Sequence, residues 1–222
     1  MKIATWNVER PNDSSKDRNA KIIETLKEVD ADILVLTETN SIIQPGPAYC
    51  SFATDSLPLS EGCIYSRGEN RTTIWSKYPI TKQIATHDRL TSLCVSVQTP
   101  LGFMSVYGTI IGIYGNREKS FDADLKKQIE DWKWISATGN ICIVGDFNIT
   151  FADNYYYTKE GRQKIEDCFA EIGITNLTHQ IAENIDHIAI SASFLKSCQC
   201  KTEVWNLDKS LSDHIGVCVV LE

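Results

Sequence analysis

Short apolar runs of strand length alternate along this chain with longer segments that follow the period of a helix. The clearest runs predict strands over Ile3 to Val8, Asp32 to Thr37, Thr72 to Ser76, Leu90 to Gln98 and Phe103 to Tyr107. Helical spacing of apolar residues predicts helices over Ser14 to Val29, Phe121 to Thr138 and Arg162 to Ile172. This alternation favours an α/β fold. No linker or internal repeat divides it, so we expect one domain over residues 1–222.

Composition narrows the class of protein but not its substrate. Hydrophobic residues make up 42% and charged residues 23% of the 222 residues, and the formal net charge is −7. These are ordinary globular values. No apolar run has membrane-spanning length and no signal peptide is visible, so we expect no membrane partner. Several of the eight cysteines lie inside apolar runs and favour reduced thiols, so we expect a cytoplasmic monomer.

The strongest chemical signal is the run from Ile143 to Asn148, in which an apolar strand ends in Gly-Asp-Phe-Asn. Asp146 and Asn148 are two positions apart, so on a strand both side chains would point to the same side. A carboxylate and an amide held at the rim of a sheet can orient a water and a phosphate oxygen. Gly145 would allow a close backbone approach.

Four other segments also end apolar runs in polar residues. They are Lys2 to Glu9, Asp32 to Glu38, Asn184 to Ile188 and Leu211 to Ile215. Their side chains are mostly carboxylates and amides, which suit a hard ion such as Mg²⁺ or Mn²⁺ better than zinc. Glu38 follows a buried run, where an uncompensated charge is costly, so we expect it to bind the metal ion.

In this order, the strings TWNVE, LTET, GDFN, NIDHI and LSDHI resemble the endonuclease/exonuclease/phosphatase superfamily over residues 2 to 221. The resemblance implies a four-layer α/β sandwich, with two mixed β-sheets face to face between helices. It also implies that Asn7, Glu9 and Asp213 join Glu38 around the metal ion. The same comparison implies that Asp186 fixes the imidazole of His214. Whether Asp146 or His214 is the general base stays open.

One strand departs from the family pattern. DNase-like relatives carry Asn-Thr-His-Leu, whose His contacts the scissile phosphate, whereas the exonuclease III-like branch uses a Tyr. Here the strand contains Tyr107, Thr109 and Ile110. Overlaying the Thr places Ile110 at the position of the His, and a shifted overlay offers Tyr107. We expect Tyr107 to contact the phosphate.

The resemblance implies hydrolysis of phosphoric esters, and we expect a divalent-metal-dependent phosphodiesterase that cleaves single-stranded or short nucleic acid. Arg71 could reach a phosphate, and Tyr155 could stack on a base. A phosphomonoesterase or phosphodiesterase acting on a small phosphorylated or lipid-derived substrate is an alternative that would use the same residues. A non-catalytic binding module on the same fold is the other alternative. The sequence leaves open endo or exo cleavage and one or two metal ions.

Overall fold

The strands of this protein form two sheets. A computed structural model describes residues 1–57, 65–196 and 198–222. The strands, in chain order, are β1 (Lys2–Asn7), β2 (Ile33–Asn40), β3 (Cys50–Ala53), β4 (Glu69–Ser76), β5 (Ile80–Ile84), β6 (Leu93–Thr99), β7 (Gly102–Ile110), β8 (Ile141–Asp146), β9 (Ile174–Asn176), β10 (Asp186–Ser191), β11 (Cys200–Trp205) and β12 (Gly216–Leu221). One sheet has the order β11-β12-β1-β2-β4-β3 and the other β5-β6-β7-β8-β10-β9.

Both sheets mix parallel and antiparallel neighbours. In the first, β1 is parallel to β2 and antiparallel to β12. In the second, β7 is parallel to β8, and β8 is antiparallel to β10. The ends of β1, β2, β7 and β8 therefore lie on the same edges as the starts of β12 and β10. This connectivity gathers distant parts of the chain at one end of the two sheets.

Four helices complete the described structure: α1 (Lys16–Val29), α2 (Lys119–Ser136), α3 (Lys159–Ile172) and the short α4 (Ala192–Leu195). Buried residues of both sheets, such as Val35, Val106 and Val144, form the core between the sheets. A second core packs α2 and α3 on one sheet, and a third packs α1 on the other. The predicted sandwich of two mixed sheets flanked by helices is confirmed.

The predicted helices and strands are present with shifted ends. The first helix begins at Lys16 rather than Ser14, and Ser15 occupies its N-cap position without a side-chain capping hydrogen bond. The third begins at Lys159, where Thr158 accepts a hydrogen bond from the Gly161 amide. No helix within the described residues is long and apolar enough to cross a membrane.

Candidate active site

Asp146 is the last residue of β8 and connects the two sheets. Its Oδ2 accepts a hydrogen bond from the Asn7 side-chain amide at 3.2 Å, and Asn7 ends β1 in the opposite sheet. Its Oδ1 accepts the Asn148 backbone N–H at 2.8 Å. Burial raises the pKa of Asp146 to about 7; the positive charge of His214 opposes this shift and Asp186 adds to it. Asp146 is therefore a carboxylate close to its protonation point at neutral pH.

Asn148 lies at the site for a different reason from the one predicted. Strand β8 ends at Asp146, and Asn148 has a left-handed backbone with φ 52°, so a shared strand face does not apply. Its side-chain amide donates to the carbonyls of Ile111 and Gly112 at 3.0 and 3.2 Å. Asn148 thus ties the segment after β7 to the turn that holds Asp146.

His214 and Asp186 form a second polar link between the sheets. His214 precedes β12, Asp186 begins β10, and the His214 Nδ1 lies 2.6 Å from Asp186 Oδ2. Burial alone would lower the pKa of His214, but the Asp186 carboxylate outweighs it and raises this pKa to about 10. His214 is therefore an imidazolium at neutral pH. Within the part of the chain that the structure describes, Asp186 Oδ1 is buried without a hydrogen-bond partner.

Glu38 lies near the end of β2 with a left-handed backbone, φ 44°. Burial raises its pKa above the usual value, whereas the charges of Arg71 and His214 lower it. Arg71 is the residue opposite Glu38 on β4, since Thr37 pairs with Thr72 and Thr39 with Asn70. The positive charges of Arg71 and His214 thus face the Glu38 carboxylate, and this places Glu38 in the same group as His214 and Asp146.

Arg71 is buried rather than open to solvent. Its guanidinium donates to the Tyr65 hydroxyl at 3.0 Å and lies over the Tyr65 ring, while its Nε has no hydrogen-bond partner among the described residues. Arg10 also lies over that ring, and it donates to Glu69 through Nε at 2.6 Å. Contact of Arg71 with substrate stays a prediction, and no sequence pattern indicated the Arg10–Glu69 pair.

Glu9 lies beyond the end of β1, two residues after Asn7. Its backbone has φ 50°. Its carboxylate lies 3.4 Å from Arg18 and accepts the Asp213 backbone N–H at 3.3 Å. Glu9 therefore links the end of β1 to the loop that carries His214. The Asp213 carboxylate is exposed, with Oδ1 3.7 Å from His214 Nε2.

The structure does not bring Tyr107 to this group, and the prediction for it is wrong. Tyr107 is completely buried on the helix side of its sheet, where its hydroxyl donates to Asp131 of α2 at 2.9 Å. Asp146 faces the other side, toward the opposite sheet. Ile110, opposite Asp146 in the register of β7 and β8, occupies the end of β7 nearest the site. The direct overlay, with an apolar side chain at the histidine position, is therefore the better one.

A cleft of ≈ 400 Å³ opens beside His214. Asn148, Asp186 and Asp213 line it, together with Tyr155, which is 58% exposed. Tyr114 and Lys209 also line it and were not among the predicted site residues. Tyr114 lies in a loop with no motif of its own, so only its exposed aromatic character could have suggested a role.

Ser212 was also missed, although it lies in the LSDHI string. Its hydroxyl donates to the Asn7 carbonyl at 2.7 Å and accepts the His214 backbone N–H at 3.1 Å. Ser212 therefore fixes the histidine loop to the end of β1.

The donor set at this end of the sheets fits a hard divalent cation. Among the described residues, no group of three or more His, Cys, Asp or Glu side chains converges to hold an ion. Mg²⁺, however, is usually held by one or two carboxylates, with water and substrate oxygens as its other ligands. Glu38 supplies a carboxylate whose charge burial disfavours, and a cation would offset that cost. Asn7 and Asp213 supply further oxygen donors.

Comparison with known proteins identifies the family. Residues 4–214 match the sequence profile of the Endonuclease/Exonuclease/phosphatase family. The chain belongs to this family. Its members are generally phosphoester hydrolases, and they typically use divalent metals. No curated protein sequence matches the chain significantly.

Solved structures of family members share the fold over the full length of the chain. An endonuclease/exonuclease/phosphatase from Beutenbergia cavernae DSM 12333 superposes with a TM-score of 0.72 at 18% identity, covering 100% of this chain and 71% of that one. The endonuclease domain of TRAS1, a telomere-specific non-LTR retrotransposon, gives 0.69 at 13% identity, covering 100% and 98%. A humanized D. rerio TDP2 gives 0.64 at 14% identity, covering 100% and 98%. At these identities the likeness establishes the fold alone.

Proposed function

We propose that this protein is a divalent-metal-dependent phosphodiesterase, and that its substrate is single-stranded or short nucleic acid. The observation that carries the proposal is the pair of polar links between the sheets, Asp146 to Asn7 and His214 to Asp186. They bring a carboxylate near its protonation point and an imidazolium to the same edge as Glu38. This combination can activate a water and stabilise a phosphate.

Asp146 is the proposed group that orients and deprotonates the attacking water. The two hydrogen bonds it accepts, from Asn7 and from the Asn148 backbone, hold the carboxylate in place. A carboxylate accepts up to four hydrogen bonds, so lone pairs are left for a water. A base with a pKa near the working pH transfers protons most effectively, and burial brings Asp146 to about 7.

His214 is the proposed phosphate-stabilising group rather than the base. With a pKa of about 10 it keeps its proton at neutral pH, because Asp186 lies against Nδ1. Its Nε2 is then a charged donor for a non-bridging phosphate oxygen. Ile110 occupies the family's histidine position, and its side chain has no hydrogen-bond donor. In the proposed mechanism, stabilisation of the phosphate therefore depends more on His214.

Glu38, assisted by Asn7 and Asp213, is the proposed ligand set for Mg²⁺ or Mn²⁺. When bound, such an ion supplies Lewis-acid stabilisation of the charge that develops on the phosphate. Burial raises the pKa of Glu38, and the positive charge of Arg71 offsets part of that rise.

Two features favour a diester of nucleic acid over a monoester. A phosphomonoester carries about two negative charges near neutral pH, because its second pKa is about 6, and would be repelled by the carboxylates of Glu183 and Asp213 in the cleft. A diester carries one charge. Tyr155 adds an exposed ring on which a base can stack.

Hydrolysis of a set of substrates at fixed salt tests this function. The set contains single-stranded DNA, RNA, duplex DNA, abasic duplex and inositol phosphates, with bis-p-nitrophenyl phosphate and a p-nitrophenyl monoester beside them. We expect cleavage of single-stranded polynucleotide and of the small diester, and slower cleavage of duplex. A strong preference for abasic duplex, or hydrolysis of inositol phosphates without polynucleotide cleavage, would contradict the proposal. Absence of any hydrolysis would favour a non-catalytic binding module.

A further inference from the structure

Two exposed tyrosines line the cleft beside His214. Tyr114 is 72% exposed and Tyr155 is 58% exposed. Exposed aromatic rings that share one cleft offer apolar surface for contact with another molecule. Both rings line the cleft that also contains His214 and Asp186. A molecule bound there would therefore lie within reach of His214, the proposed hydrogen-bond donor to the phosphate.

Backbone hydrogen bonds fix the loop that presents Tyr155. The backbone N–H of Thr150 donates to the Tyr156 carbonyl at 2.7 Å, and the Thr150 hydroxyl donates to the Asp153 carbonyl at 3.1 Å. Asp153 accepts the backbone N–H groups of Tyr155 and Glu183 at 2.9 and 2.7 Å, and Arg162 donates to its carbonyl. The ring is therefore exposed on a loop that is already ordered, which lowers the entropy cost of binding.

The turn that carries Tyr114 packs against the loop that carries Tyr155 and Tyr156. Gly115 has φ 91°, and a Cβ atom there would lie 2.2 Å from the Tyr156 hydroxyl. Only glycine allows this approach. The Gly115 N–H also closes the turn by donating to the Gly112 carbonyl at 2.7 Å. Tyr114 and Tyr155 are thus held on two packed loops.

The loop that carries His214 also brings a cation to the cleft. Lys209 Nζ lies 5.6 Å from the centre of the Tyr155 ring. Asn206 holds this loop by donating to the carbonyls of Ser212 and His214 at 2.8 and 2.7 Å. The cleft therefore combines two planar aromatic faces with a lysine and with His214.

We infer that this cleft is a stacking subsite for the nucleobase attached to the nucleotide whose phosphate is attacked. Tyr155 and Tyr114 offer the stacking faces, and Lys209 reaches the sugar-phosphate backbone. The inference rests on the proposed function, and it names the substrate part that the cleft recognises. A flat ring suits the cleft better than an acyl chain, because Glu183 and Asp213 line it alongside the aromatic residues.

Binding measured without turnover tests the subsite separately from catalysis. An NMR titration of the full chain in excess EDTA compares the methyl diester of adenosine 5′-monophosphate with the methyl diester of ribose 5-phosphate, which lacks the base. We expect the nucleotide to bind about tenfold more tightly, since stacking on one ring contributes on the order of that factor. Tyr155→Leu and Tyr114→Leu should each reduce this preference, and Tyr155→Phe should keep it.

Phe103→Leu is the matched control. Phe103 is 58% exposed, as is Tyr155, but lies at the start of β7, away from the edge that carries the site. The control should retain the full preference. Equal affinity for the two compounds, no detectable nucleotide binding, or a preference that survives both tyrosine variants would overturn the subsite. Failure of the protein to hydrolyse any diester would instead count against the proposed function, because this titration needs no hydrolysis.

Discussion

Asp186 governs the charge of His214. Its carboxylate lies 2.6 Å from the imidazole, and its other oxygen is buried without a partner among the described residues. Burial is the main cause of the raised pKa of Asp146, and the charge of Asp186 adds to it. Asp186 therefore raises the pKa of both proposed catalytic groups.

Replacing Asp186 with Asn should lower the pKa of His214 from about 10 toward its ordinary value near 6.5. The variant removes the negative charge that stabilises the imidazolium, while burial continues to disfavour it. Nitrogen-detected NMR of the imidazole across the pH range measures this directly. His87, whose ring lies between Asp131 and Asp124 and whose pKa is raised to about 9, is the internal reference and should titrate identically in both proteins. An unchanged His214 titration would contradict the assigned pairing.

Asp146→Asn and His214→Ala should each reduce turnover by roughly 10²–10⁴-fold, the usual effect of losing an acid–base or oxyanion-stabilising group. Steady-state kinetics with a small diester supply the measurement. Asp167→Asn, on the exposed face of α3, and His179→Ala are the matched controls. The site is misassigned if the controls lose turnover and the two site variants retain it.

The sequence predicted the site residues that end strands, because a strand's position in a parallel sheet places its last residue at the rim. Asn7 and Asp146 are of this kind. The sequence-based predictions were wrong where the direction of a side chain depended on the local backbone conformation or on which face of the strand is turned to the other sheet. Glu9 has a left-handed backbone beyond its strand, and Tyr107 faces α2. Tyr107 and Thr109 are two positions apart, so their side chains lie on the same face of β7. The alternation of a strand does not tell which of its two faces meets the other sheet.

The pairing of β7 with β8 depends on Gly145. This residue has φ 135°, and a Cβ atom would lie 2.1 Å from the Thr109 carbonyl oxygen. The predicted close approach is thus made by the neighbouring strand's backbone. The contact brings the end of β8, and with it Asp146, against the end of β7.

Gly145→Ala should destabilise the fold by about 2–5 kcal/mol, through overpacking and an unfavourable backbone conformation. Urea unfolding followed by circular dichroism gives the free energy. Gly46→Ala separates the two causes, because Gly46 has a similar φ of 149° and nothing within 4 Å of its Cβ position. Gly46→Ala should lower the free energy of unfolding by less than Gly145→Ala does. Equal effects of the two substitutions would refute the close approach.

The loop before β6 is clamped to α2 by a histidine between two carboxylates. The His87 ring nitrogens lie 3.0 Å from Asp131 and 3.2 Å from Asp124. Burial alone would lower the pKa of His87, but the hydrogen bonds to these carboxylates raise it to about 9. A raised pKa in the folded state stabilises the fold fully below the unfolded value of 6.5, and this contribution is lost as pH rises through about 9.

His87→Gln should therefore lower the urea midpoint most at pH below 6.5 and progressively less as the pH passes 9. Burial alone would raise the pKa of its partner Asp131, but the hydrogen bonds from His87 outweigh burial and lower this pKa. The stabilisation of the fold by ionised Asp131 is therefore lost as the pH falls through its folded-state pKa. The urea midpoints of wild type and variant, measured across this pH range, test the prediction. A difference that grows above pH 9 would contradict the clamp.

At the scale of the molecule, the alternating pattern favoured an α/β fold, and the family resemblance implied the sandwich of two mixed sheets. The end positions of helices and the order of strands in each sheet depend on long-range packing that a local pattern does not encode. The core lies between the sheets and under the helices, away from Glu38. The fold should therefore survive chelation: in EDTA the protein should still unfold in a cooperative thermal transition, with a midpoint lowered only by the loss of the bound ion.

The rate of diester hydrolysis as a function of added metal is the most direct test. Glu38 and its neighbours offer oxygen donors, so activity on bis-p-nitrophenyl phosphate should require Mg²⁺ or Mn²⁺ and return when the ion is restored after chelation. Glu38→Gln should raise the metal concentration needed for half-maximal rate, whereas Glu130→Gln on the exposed face of α2 should leave it unchanged. We predict loss of hydrolysis in excess EDTA by a protein that remains folded. Full hydrolysis in excess EDTA would contradict a metal-dependent phosphodiesterase.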